Sequence, residues 1–69
     1  KYLGLTPRHY IIQVRLENAR RLLVETTLPI NVIAAEVGFQ DASYFSRKFY
    51  QLFETKPSEF RLSYQWLKT

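Results

Sequence analysis

The sequence predicts an all-α domain of three to four helices, on three observations. Pro7, Pro29 and Pro57 each stand ahead of a stretch with apolar residues at helical spacing, and proline suits the first helical position because its missing N–H costs nothing there. Gly38 and Asp41 punctuate the middle of the chain as a helix stop and a helix start. The alternation of apolar and polar residues that marks a half-buried strand is nearly absent.

The first helix opens at Thr6-Pro7, an N-cap followed by proline, and continues without Gly or Pro to about Thr26. Ile11, Ile12, Leu16, Ala19, Leu22 and Leu23 share one broad face at roughly 100° per residue. Pro29 opens a short second helix that turns Ile30, Ile33, Ala34 and Val37 inward, with Gly38 just past its end as a left-handed C-terminal cap. Asp41 caps a third helix, about 42–53, by offering its carboxylate to the free N–H of Ser43 or Tyr44. Helix, tight glycine turn and helix together form a helix-turn-helix, the homeodomain-like class. The last helix starts at Pro57 and packs Phe60 inward, with Leu62 or Tyr64 beside it, and is expected to fray beyond about Tyr64. Its cap is weak: Lys56 holds the N-cap position, although Glu59 stands where a capping box places an acid.

Composition narrows the chemistry. A chain of 69 residues holds one small domain or part of one, whose core supplies only a few kcal/mol of net stability. Ten Lys and Arg against six Asp and Glu give a net charge of +4, which suits a polyanionic partner without demanding one. Residues 1–27 carry five basic and two acidic groups, and residues 28–69 five and four, so both parts are cationic. The absence of cysteine excludes a disulfide framework and a thiolate zinc site. His9 is the single histidine, and no acid/base pair, metal-ligand cluster or glycine-rich phosphate loop accompanies it. Neither catalysis, cofactor nor metal is expected. No long apolar run or signal pattern occurs, and charges ring the first helix without a Trp or Phe anchor, which argues against a membrane partner. A soluble, cytoplasmic protein is expected.

Two decapeptides, "YLGLTPRHYI" (2–11) and "LFETKPSEFR" (52–61), repeat an apolar pair, a turn, a proline and a later aromatic at an offset of 50. Since the second follows a helix-turn-helix, the first is expected to do the same, which makes residues 1–5 the tail of a preceding unit.

Residues 15–61, "RLENARRLLVETTLPINVIAAEVGFQDASYFSRKFYQLFETKPSEFR", resemble the second helix-turn-helix of the AraC/XylS transcriptional regulators, and "GLTPRHYI" is similar to the segment that opens that family's linker helix. The resemblance implies half of a two-unit module: a linker helix over 6–27, the second helix-turn-helix over 28–55, and a C-terminal helix with a frayed end over 56–69. It implies bacterial, nucleoid-associated double-stranded DNA binding in transcription regulation, with RNA polymerase as a further possible partner. Two positions depart from the family pattern. Glu54 stands in place of a turn glycine, and Lys56 in place of a Ser or Thr cap.

On a helical wheel, Ala42, Phe45, Phe49, Leu52 and Phe53 share the inner face of the third helix, while Ser43, Arg47 and Tyr50 face out, with Ser46 on one flank and Tyr44 on the other. A helix fits the major groove, and residues near its N-terminus reach base edges. Arg47 suits guanine through its fork; Ser43 and Ser46 read either base type, and Ala42 a thymine methyl. The resemblance implies base contacts at the same four positions. Tyr44, Lys48 and Tyr50 suit phosphates, as do Gln40 and Asp41 at the start of the helix. Arg15 falls within the apolar face of the first helix, where it must pair or reach out along its stem. A buried ion pair with Asp41 or Glu36 is favoured over a contact to the DNA backbone. A rival reading makes the basic face a contact for acidic protein surfaces. The breadth of the first helix's apolar face exceeds what one partner needs, so self-association is expected.

Overall fold

A computed structural model of the chain describes residues 7–68, with side chains through residue 64. The Thr6 cap and the tail over residues 1–5 lie outside the described residues. Four helices follow one another: α1 (Pro7–Glu25), α2 (Ile30–Glu36), α3 (Ala42–Phe53) and α4 (Pro57–Lys68). Pro29 sits just outside α2 as its N-cap, in extended conformation, and its carbonyl accepts from Ile33 N. α1 packs against each of the other three helices.

The core is built where their apolar faces meet. α1 contributes Leu16, Ala19 and Leu23, α2 Ile33 and Ala34, the turn Phe39, and α3 Phe45 and Phe49. Aromatic rings run through it in tilted contacts, Phe39 to Phe45 at 5.3 Å, Phe45 to Phe49 at 5.8 Å and Phe49 to Phe53 at 4.6 Å. Phe60 of α4 meets Phe49 edge-on at 6.0 Å, so α3 is held from two sides. Burying one such ring contributes about 1.5–3 kcal/mol, a large share of the stability of so small a domain.

Two apolar residues expected inside, Ile11 and Leu52, lie at the surface, as does Leu62, one of the two alternatives in α4. Ile11 is 48% exposed, Leu52 38% and Leu62 57%. Ile11 stands toward the N-terminal end of α1, on a cleft shared with Arg8, Arg15 and the α2–α3 turn, and Leu52 borders a depression that it shares with Ile12, Gln13 and Leu16 of α1. In both places the apolar stripe of the helix is wider than the element packed on it. Of the two alternatives in α4, Tyr64 is the half-buried one, in a hollow lined by Arg20, Val24 and Phe60.

α1 ends through one local and one distant side chain, the Thr26 hydroxyl donating to Leu22 O at 2.7 Å. Its last turn carries no basic residue, yet its terminal carbonyls need donors. Arg61 of α4 supplies them, with Nε to Leu23 O at 3.1 Å and Nη2 to Thr26 O at 3.2 Å. Arg20 lies 5.0 Å from the centre of the Phe53 ring, adding a cation–π contact between α1 and α3.

Candidate nucleic-acid interface

The turn that presents α3 is closed at both ends by hydrogen bonds the local sequence dictates. α2 ends in a Schellman motif, with Phe39 N donating to Ala34 O at 2.8 Å and Gly38 N to Ala35 O at 3.1 Å. Gly38 has φ +105°, a conformation that only glycine adopts readily. Phe39 then drops into the core and brings the chain back toward α1. Asp41, in extended conformation, accepts a hydrogen bond on Oδ1 from Ser43 N at 2.9 Å and so starts α3. The carboxylate also complements the positive end of the helix dipole.

Arg15 fastens this turn to α1. It lies exposed, and its Nη1 donates to Gly38 O at 3.3 Å. The buried ion pair with Asp41 or Glu36 is therefore corrected: the acceptor is a turn carbonyl, which the Schellman geometry leaves turned toward α1. A Cβ built on Gly38 would meet Arg15 Nε at 2.9 Å, so a side chain there would push the exposed guanidinium aside, while the strict need for glycine comes from φ.

With Phe45 and Phe49 fully buried, the opposite side of α3 faces solvent. Ser43, Arg47 and Tyr50 are exposed along it, Tyr50 by 53%, and Ser46 lies half-buried on one flank. On the other flank Tyr44 is half-buried, its ring 6.0 Å from Phe39. Arg47 Cζ lies 6.0 Å and Lys48 Nζ 5.6 Å from the Tyr44 ring centre, so an aromatic is set between two cations. Gln40 and Asp41 are exposed at the start of the helix. Ala42 is half-buried and packs against the core cluster, which turns its methyl further inward than the other three candidates for base contact. Arg15 is set apart from this face, across the cleft from Tyr44.

A model described as a helix-turn-helix domain matches residues 1–63. The chain belongs to the helix-turn-helix family, in its AraC/XylS branch. Among the relatives, the helix-turn-helix-type transcriptional regulator YisR of Bacillus subtilis is 44% identical over 59 residues, covering 86% of this chain and 21% of its own length. The lactose operon transcription activator of Staphylococcus xylosus is 38% identical over 61 residues, with 88% and 22% covered. The activator RhaR of Pectobacterium carotovorum is 43% identical over 58 residues, with 84% and 20% covered. The chain thus spans about a fifth of the length of these curated relatives. A solved structure, the C-terminal domain of the two-component response regulator yesN from Fusobacterium nucleatum, superposes with a TM-score of 0.81 at 37% identity, covering 86% of this chain and 57% of that one. These relatives are named as transcription regulators or activators, and the part of them that this chain matches is the helix-turn-helix domain.

The departure at Glu54 has a structural consequence. Glu54 is the C-cap of α3, with φ 60° and ψ 27°, and its N–H donates to Tyr50 O at 2.7 Å. The turn keeps a left-handed conformation with a side chain that pays for it, at about 1–2 kcal/mol. Sequence reasoning passed over Arg61 and Arg20. The signal for Arg61 was the missing basic residue in the last turn of α1, which requires a donor from another element; Arg20 had no comparable signal.

Proposed function

We propose that α3 of this helix-turn-helix domain enters the major groove and reads sequence through Arg47, Ser43 and Ser46, with Ala42 against a thymine methyl at the groove wall. The observation that carries this reading is the outer face of α3, where Ser43 and Arg47 stand exposed, with half-buried Ser46 on the flank, opposite two fully buried phenylalanines. Arg47 can bridge guanine O6 and N7, a contact worth about 1–3 kcal/mol of discrimination. Tyr44, Lys48 and Tyr50 hold phosphates beside it, and Gln40 and Asp41 bring the helix N-terminus to another. The partner is double-stranded DNA in the bacterial cytoplasm. The wide apolar stripe of α1, with Ile11 uncovered beside Arg8 and Arg15, supports self-association, for which sedimentation at rising concentration is the check.

Selection from a random duplex library tests the reading. Enrichment of a short motif no longer than one major-groove face is the expected result. Recovery of unenriched sequence, with binding that depends on salt alone, would leave a non-specific cationic surface in its place.

A further inference from the structure

Ser46, Arg47 and Tyr50 belong to a second feature besides the reading face. They form one wall of an open groove whose other wall is Lys56, Pro57 and Ser58, where the chain leaves α3 and begins α4. The loop is firmly placed there. Pro57 is buried, and Phe60 N donates to Lys56 O at 2.8 Å, closing the first turn of α4 on the Lys56 backbone. The Lys56 side chain is exposed and enters no ion pair among the described residues. Glu54 and Glu59 stand nearby in sequence, but neither lines the groove.

The helical wheel says which side of α3 this is. Ser46 and Lys48 are two residues apart, hence roughly 200° apart around the axis, so Lys56 flanks α3 on the side away from Lys48 and Tyr44. A helix in the major groove lies between two phosphate rows, one per strand, across an opening of about 12 Å. Tyr44 and Lys48 serve one row. On the other, Ser46, Tyr50 and Gln51 carry no positive charge, and the one α3 cation that lines the groove, Arg47, is taken up by the bases in the reading above.

We infer that Lys56 supplies the missing cation: its ammonium holds a backbone phosphate of the DNA strand on the Ser46 side of α3, so that the recognition helix is clamped from both strands. A lysine at a helix N-cap is a poor capping residue, and the exchange of a capping hydroxyl for an unpaired ammonium on the reader's flank is intelligible as a gain in DNA contact. The contact positions the domain and carries no sequence information. The inference rests on the reading of α3 as a major-groove helix.

The experiment measures binding of the chain, of Lys56→Thr and of Lys56→Arg to a library-selected duplex and to its scrambled counterpart, from 50 to 200 mM salt. Threonine restores a good cap, so loss of folding does not obscure the result, and a urea melt verifies this. Lys56→Thr is expected to weaken binding to both duplexes equally and to lower the slope of log K against log salt by about 0.9. Its deficit against wild type then shrinks about threefold over that salt range. Lys56→Arg should keep the wild-type slope. An unchanged slope in Lys56→Thr overturns the phosphate contact while wild-type selectivity still upholds the α3 reading. Loss of preference between the duplexes in Lys56→Thr would instead make Lys56 a base reader and overturn the clamp. A wild-type chain that binds neither duplex would remove both inferences.

Discussion

At Gly38 a backbone requirement meets a side-chain contact, and the two are separable by mutation. Its φ of +105° demands the absence of a Cβ, and the Arg15 guanidinium occupies the space where one would go. Gly38→Ala is expected to cost about 1–3 kcal/mol in urea unfolding. Adding Arg15→Ala should recover the crowding part and leave the backbone part, a non-additivity that a double-mutant cycle reads. Glu54 is the converse case, a side chain in a left-handed position. Glu54→Gly is expected to raise stability by about 0.5–1 kcal/mol, the relief of strain less the added freedom of the unfolded chain. An unchanged or lower urea midpoint would show that the αL conformation at Glu54 carries no strain. Asp41→Ala removes the acceptor from Ser43 N and should cost about 1 kcal/mol.

At the level of elements, α3 was the most legible in the sequence and the outer faces of α1 the least. Asp41 and Gly38 act through local backbone chemistry, which needs no knowledge of the rest of the fold, so the start of α3 and the glycine stop follow from residue types alone. The inner and outer faces of α3 separate cleanly because Phe45 and Phe49 set the phase. Ile11 and Leu52 went astray for a different reason: a wheel gives the direction of a side chain and says nothing of how wide the neighbouring element is. Arg15 was recognised as anomalous, but its acceptor is a backbone carbonyl 23 residues away, and carbonyls leave no trace in a residue pattern. Arg61 joins α4 to the end of α1 by the same kind of bond. Arg61→Ala leaves two half-buried carbonyls without their donor and is expected to cost about 1–3 kcal/mol. Circular dichroism and urea melting check this, and a variant as stable as wild type would mean that water replaces the guanidinium freely.

For the whole molecule, a small aromatic core and a cationic surface divide the work between holding α3 and presenting its outer face. Phe49 touches Phe45, Phe53 and Phe60, so Phe49→Ala should cost about 3–5 kcal/mol, enough to unfold most of a domain this size. Surface changes on α3 should leave stability nearly untouched, which allows binding to be measured apart from folding. The most direct test of the account is titration of the chain and of Arg47→Ala against a selected duplex and a scrambled one at two salt concentrations. If Arg47 reads a base, the variant loses about 1–3 kcal/mol of preference for the selected sequence while its salt slope falls by no more than about one phosphate contact. If the variant discriminates between the two duplexes as well as the wild type does, α3 does not read sequence through Arg47, and the basic face is a contact surface of another kind.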